Sequence, residues 1–315
     1  MQRFFTTLFG GFVAIIIGVG LAWSIRHAWS FVGPRLNLMS AALPSASAAD
    51  GTTISGFTRV LRYSASEEED LIDRAAHALT LGTVGGVGAK AYIVKDLTTD
   101  TVVIQASAER LLPIASLTKL VTAVVARRLI PADDRIALSA SIISTYGNTA
   151  GLRIGETITS GDLLYPLLMV SSNDAAEAYA SHYGRQAFIK AMNSFAQSVG
   201  AYRTSFADPS GLSPQNVSTA NDLALILEWI RDNDPGILEI TQLKSKTVRS
   251  HVWTNPTHFL SWSYYLGGKN GYTDEADRTA AGLFSLGPRK DVYAVVVLGT
   301  ETRDSDIIAL LKKVK

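Results

Sequence analysis

Apolar positions follow different rhythms in different parts of the chain, and these rhythms divide it before any chemistry is considered. Residues 4–25 are apolar almost without interruption, broken only by Thr6, Thr7, Ser24 and glycines. A run of about 20 such residues is long enough to span a hydrocarbon core. It reads as an uncleaved transmembrane anchor or as an export signal. The nearest small-residue pattern, Ala46-Ser47-Ala48, lies too far past the run for ordinary cleavage, which favours the anchor. Charge does not orient the span, since Arg3 precedes it while Arg26 and Arg35 follow it. Residues 1–29 are thus an N-terminal transmembrane helix or signal. Residues 30–85 are largely Ser, Ala, Gly, Pro and Thr with little periodicity, a stem with one short helical pattern at 67–79.

The folded part is expected over 86–315. Strand-like runs at 91–94 and 102–104, joined through a polar turn at 96–100, predict a hairpin. Behind Pro113, residues Leu117, Leu120, Val121, Val124 and Val125 recur at helical spacing and predict a helix. Between 132 and 240, helical patterns at 160–169, 173–183, 186–199 and 219–230 alternate with Gly- and Ser-rich loops, with Ser218 or Thr219 as a cap for the last. Strands at 279–286 and 292–298 flank a turn at 287–291, and 304–313 is helical. A strand pair, a helical middle, a strand pair and a helix predict an α+β fold. One antiparallel sheet is assembled from both chain ends, flanked by helices, with a helical subdomain.

Composition narrows the classes. The formal charge of +1 over 315 residues offers no field for a nucleic-acid partner. With 47% hydrophobic and 18% charged residues, the chain can bury a large core and is not of the disordered class. The absence of cysteine excludes disulfides, thiolate metal sites and a cysteine nucleophile. His27, His77, His182, His251 and His258 show no metal-ligand spacing and read as structural or surface residues. Asn216-Val217-Ser218 is a formal glycosylation acceptor, read here as the loop before a helix.

Candidate chemistry lies in three separated stretches. Ser116 stands three residues before Lys119 where the first helical pattern begins, so both side chains share a face at a helix N-terminus. A serine hydroxyl needs a neighbouring base, and a lysine becomes one when burial and nearby cations lower its pKa. A solvated helix lysine is the plain alternative. Next, Ser171-Ser172-Asn173-Asp174 joins two helical patterns; Ser171 and Asn173, two apart, can face one cleft, with a hydroxyl to pass a proton and an amide to hold a peptide group. Alternatively Ser172 or Asn173 only caps the following helix. Last, Gly267-Gly268-Lys269-Asn270-Gly271-Tyr272-Thr273 puts a lysine on a glycine-flanked strand that a substrate backbone can approach, or in an ordinary exposed glycine turn.

In this order, Ser-x-x-Lys, Ser-x-Asn and a Lys-x-Gly element resemble the signature of penicillin-binding proteins and serine β-lactamases. The chain resembles the low-molecular-mass penicillin-binding proteins, the serine D-alanyl-D-alanine carboxypeptidases. Leu163-Leu164-Tyr165, Met192-Asn193, Pro209-Ser210-Gly211-Leu212, Ser218-Thr219-Ala220 and the stretch from Lys269 to Ala276 extend the likeness over roughly 89–303.

The resemblance implies a β-lactamase/transpeptidase-like fold without metal or cofactor. It implies catalytic Ser116, Lys119 and Ser171, and substrate binding by Asn173, Lys269, Asn270, Gly271 and Tyr272. Its oxyanion hole would be the backbone N–H groups of Ser116 and Tyr272. Implied partners are peptidoglycan stem peptides and, as covalent inhibitors, β-lactams. The implied location is the cell membrane, with the catalytic domain on the extracytoplasmic side, or secretion if the N-terminal segment is cleaved. Asn270 replaces the family's usual threonine, Asp277 its usual glycine, and Arg303 is placed near the substrate carboxylate or in a surface ion pair. Two alternatives to the carboxypeptidase stay open: an endopeptidase of peptide cross-links and a non-catalytic wall-binding homologue.

Overall fold

The computed structural model describes residues 85–147 and 150–314; the apolar N-terminal run, most of the stem and its helical pattern lie outside the described residues. No helix among the described residues is long and apolar enough to cross a membrane.

The centre of the molecule is a five-stranded antiparallel sheet. Its strands are β1 (Ala91–Asp96), β2 (Thr101–Ala106), β3 (Tyr265–Thr273), β4 (Asp277–Leu286) and β5 (Asp291–Thr300), in the spatial order β2-β1-β5-β4-β3. The first and last strands are neighbours, with Ala91 opposite Leu298 and Val94 opposite Val295. The expected sheet built from both chain ends is therefore present. Strand β1 is buried on both faces because both are covered. Ala91 and Ile93 join the larger core, while Tyr92 and Val94 join the smaller one, as the two-residue side-chain period requires.

Eight helices complete the described fold: α1 (Thr118–Leu129), α2 (Ala140–Ile143), α3 (Ser160–Met169), α4 (Asn173–Tyr183), α5 (Arg185–Ser198), α6 (Ala220–Asn233), α7 (Gly236–Thr241) and α8 (Arg303–Val314). Ile307, Leu310 and Leu311 of α8 cover one sheet face, against Val94, Phe284, Val295 and Val297. The other face packs on the helical subdomain, where Leu120, Val124, Leu163, Tyr179, Phe188 and Leu227 share one core with Ile93 and Val296. Full burial of each such large side chain contributes about 1.5–3 kcal/mol.

Helix starts follow local chemistry. Thr159, Ser172 and Thr219 each accept a backbone N–H of the first turn, at 3.1, 3.1 and 3.0 Å. Three local features differ from the expectations. Pro113 does not open α1; with Leu112 it forms a two-residue strand paired to Val217 and Ser218, so the entry to α1 is tied to a distant segment. A short hairpin, Ser245–Val248 with His251–Thr254, and the brief helix α7 fill the stretch before β3. Helix α1 is buried from Thr118 to Ala126 on every side, rather than along one stripe.

Candidate active site

The burial of α1 decides the chemistry of its first turn. Ser116 lies in a 3-10 turn, Ala115–Leu117, that runs directly into α1. Lys119, one turn on, is fully buried, which excludes the solvated-lysine alternative. Its Nζ donates to Ser116 Oγ at 3.0 Å, to Asn173 Oδ1 at 2.7 Å and to the Ser210 carbonyl at 2.5 Å. Burial first, and the nearby Lys269 charge second, hold the Lys119 amine well below its usual pKa; Asp208 partly offsets them. A lysine so placed has an accessible neutral form beside a hydroxyl. Ala115, just before the serine, has φ of 48°, a left-handed conformation costing on the order of 1–3 kcal/mol for a non-glycine residue.

The loop that supplies the Ser210 carbonyl, quoted above only as part of the likeness, holds a role that sequence reasoning did not assign. Asp208 gathers it: Oδ1 accepts from Ser210 N, Ser210 Oγ and Gly211 N at 2.6–2.7 Å, and Oδ2 from Ser213 N at 2.6 Å. Asn216 locks it to α1, donating from Nδ2 to Thr118 Oγ1 at 3.0 Å. Its side chain is thus buried and engaged, in keeping with a loop residue and not a glycosylation acceptor. Gly211 has φ of 89°, and a Cβ there would fall 1.9 Å from the Ala115 carbonyl oxygen, so only glycine fits. The dense Asp-Pro-Ser-Gly composition signals a tight turn, but nothing in it says that a carbonyl meets a lysine 91 residues away.

Between α3 and α4 the three polar residues take separate tasks. Ser172 is the cap of α4. Ser171, at a left-handed φ of 60°, faces the cleft, and its Oγ is buried without a hydrogen-bond partner. Such a hydroxyl normally carries a cost on the order of 1–3 kcal/mol. Asn173 uses both ends of its amide: Oδ1 receives Lys119, and Nδ2 donates to the Tyr146 carbonyl at 2.7 Å. In this arrangement Asn173 orients Lys119.

Edge strand β3 forms the opposite wall. An edge leaves alternate backbone groups unpaired, here toward the cleft. A Cβ on Gly271 would lie 2.6 Å from Thr279 Oγ1 and 2.9 Å from Ser116 N, so the strand backbone can pass the serine only because this residue is glycine. Lys269 is buried, donates from Nζ to the Asn270 carbonyl at 2.8 Å, and is lowered to about 7, chiefly by burial and then by Arg303. Asn270 donates from Nδ2 to Thr257 Oγ1 at 3.0 Å. Tyr272 is exposed, its hydroxyl donating to Asp274 at 2.9 Å.

Ser116, Ser171, Lys269, Asn270, Gly271, Tyr272 and Arg303 all line one cleft of about 320 Å³. Arg303 lines the cleft, and its Nε donates to Asp304 at 2.7 Å. Asp277 adds no charge to the cleft lining. It takes a left-handed φ of 55°, a conformation that favours glycine, and pairs with Lys90 at 2.6 Å. The described histidines sit beside carboxylates: His182 with Asp134, His251 with Glu156, and His258 with Asp304.

A hydroxyl beside a buried amine, a second hydroxyl without a partner, and a strand edge flanked by Lys269 and Arg303 define a site suited to acyl transfer through serine. Comparison with known proteins agrees with that class. A solved D-alanyl-D-alanine carboxypeptidase from Mycobacterium tuberculosis superposes with a TM-score of 0.69 at 26% identity, over 75% of this chain and 93% of that one. Penicillin-binding protein D2 from Listeria monocytogenes, in its cefotaxime-bound form, gives 0.61 at 26% identity, over 72% and 95%. In sequence the chain is 36% identical over 197 residues to a D-alanyl-D-alanine endopeptidase of Pseudomonas aeruginosa, covering 58% of this chain and 63% of that protein. It is 31% identical over 217 residues to a D-alanyl-D-alanine carboxypeptidase of Mycobacterium tuberculosis, covering 66% and 74%. Residues 78–302 match the profile of the D-alanyl-D-alanine carboxypeptidase family. The chain belongs to that family.

Proposed function

We propose that the chain is a serine-type D-Ala-D-Ala carboxypeptidase that trims peptidoglycan stem peptides through an acyl-enzyme on Ser116. The observation that carries this reading is the buried Lys119 amine at 3.0 Å from Ser116 Oγ. Neutral Lys119 takes the hydroxyl proton as Ser116 Oγ attacks the carbonyl of the penultimate D-alanine. The oxyanion is held by the backbone N–H groups of Ser116 and Tyr272, each worth about 3 kcal/mol in such a site. The unpartnered Ser171 hydroxyl then passes a proton to the departing amine of the terminal D-alanine, with Lys269 raising the local positive charge. Water attacks the ester, its proton returns through the same groups, and the shortened peptide leaves. Asn173 and Ser210 keep Lys119 aimed throughout, and Asn270 and Gly271 shape the wall along which the peptide lies. β-Lactams acylate Ser116 by the same geometry, and the apolar segment at 4–25 holds the enzyme at the cell membrane with its catalytic part outside.

Mass spectrometry after exposure to labelled penicillin should find one adduct on Ser116, and a D-Ala-D-Ala pentapeptide should release D-alanine. Neither adduct nor release would sink the proposal. A second reading, cleavage of peptide cross-links, is favoured by the similarity to the Pseudomonas endopeptidase and to an Escherichia coli D-alanyl-D-alanine endopeptidase at 34% identity. Faster cleavage of a cross-linked dimer than of the pentapeptide would select it.

A further inference from the structure

One hydroxyl in the cleft has no part in the steps above. Thr257 precedes the 3-10 turn His258–Ser261, a position from which a threonine side chain ordinarily caps the turn, yet its hydroxyl makes no cap hydrogen bond. Instead its Oγ1 accepts from Asn270 Nδ2 at 3.0 Å. The residue is held in place from behind: its backbone N–H donates to Asn255 Oδ1 at 3.1 Å, and Asn255 Nδ2 donates to the Thr241 carbonyl at 2.9 Å. A hydroxyl that already accepts from a neighbour still has its own proton to give. Thr257 lines the same cleft as Ser116, together with Lys269 and Arg303. A guanidinium, a lysine amine and a spare hydroxyl proton around one space are all donors and match an anion, and the anion that a peptide brings next to its scissile bond is its terminal carboxylate.

We propose that Thr257 is a specificity-determining residue whose hydroxyl, oriented by Asn270, donates to the terminal carboxylate of the peptide that acylates Ser116. The assignment rests on the acyl-enzyme reading above. It also gives residue 270 a physical role: an amide there cannot present a hydroxyl, but it can aim one that belongs to the neighbouring segment. A carboxylate receives that proton about twice as strongly as a neutral carboxamide does, so the cleft distinguishes the two.

The test compares kcat/KM on one acylated D-Ala-D-Ala peptide made twice, with a free carboxylate and with a C-terminal carboxamide. Thr257→Val should lower the value for the carboxylate peptide about tenfold, the order expected for one charge-assisted hydrogen bond, and lower that for the carboxamide peptide only about threefold, the weaker neutral bond. Thr257→Ser should restore the carboxylate peptide, because the hydroxyl returns. If Thr257→Val does not fold, Thr257→Ala removes the same hydroxyl with no added bulk and carries the comparison. Equal losses on both peptides would mean that Thr257 only ties its segment to β3, and no loss on either would mean that its proton goes elsewhere; each overturns the assignment alone. Absence of both D-alanine release and a penicillin adduct in the unaltered protein would overturn the proposed function, and this assignment with it.

Discussion

Replacing Asn173 by alanine separates two roles that the same side chain could have. The substitution removes the acceptor 2.7 Å from Lys119 Nζ and the donor 2.7 Å from the Tyr146 carbonyl, leaving Lys119 with Ser116 Oγ and Ser210 O. A hydrogen bond to a charged group contributes about 1.5–3 kcal/mol. If that energy is what keeps the amine on the serine, acylation slows by roughly 10- to 150-fold. The pH profile adds a second, independent signature. Lys119 acts as a base only when neutral, so the acylation rate rises as pH passes upward through its pKa, which burial and Lys269 already depress. Losing an acceptor destabilises the ammonium further, so the acid limb moves to lower pH while the plateau falls. The assay is the second-order rate constant for labelled penicillin on Ser116, followed from about pH 5 to about pH 10, with peptide KM measured in parallel. An unchanged plateau and limb, with only a raised KM, would refute the orienting role and return Asn173 to substrate contact.

Two further outcomes follow from the geometry. Gly271→Ala should abolish acylation and lower thermal stability, since the added Cβ would sit 2.6 Å from the buried Thr279 Oγ1 and 2.9 Å from Ser116 N and so displace β3 from the serine; wild-type acylation in this variant would show that the strand need not approach so closely. Asp174 is fully buried, neither carboxylate oxygen has a hydrogen-bond partner, and burial raises it to about 6. The native state therefore keeps this proton where the unfolded chain has lost it. The resulting stability is present at acid pH and disappears as pH rises through about 6. Asp174→Asn should raise the denaturation midpoint at about pH 8 more than at about pH 5, and an equal or negative change at the higher pH would show that the carboxylate is in fact stabilised.

Much of this protein is written locally. The two hairpins, the helices at Asn173–Tyr183 and Ser160–Met169, and the caps at Ser172 and Thr219 follow from period, turn residues and hydroxyl side chains close in sequence. The pairing of Ser116 with Lys119 is local as well, because three residues along a helical turn place both side chains on one face. Ser171, Asn173 and Lys269 could be singled out because their order along the chain resembles a known signature.

What the chain pattern could not contain is what each group meets. Periodicity marks one apolar stripe on α1, but the residues that bury its other sides come from α3, α4, α5 and the loop at 207–216, and it is their closure that strips Lys119 of water. The acceptors Ser210 O and Tyr146 O are backbone groups, invisible to residue type. The division of labour among Ser171, Ser172 and Asn173, and the partnership of Asn270 with Thr257 thirteen residues away, depend on side-chain directions set by packing. Sequence alone determined most of the elements and singled out the candidate reactive groups, because those rest on local sterics, hydrogen bonding and residue type. Tertiary structure decided which of them lose solvent and which find partners, and for a lysine whose use depends on being neutral, that loss of solvent is the chemistry.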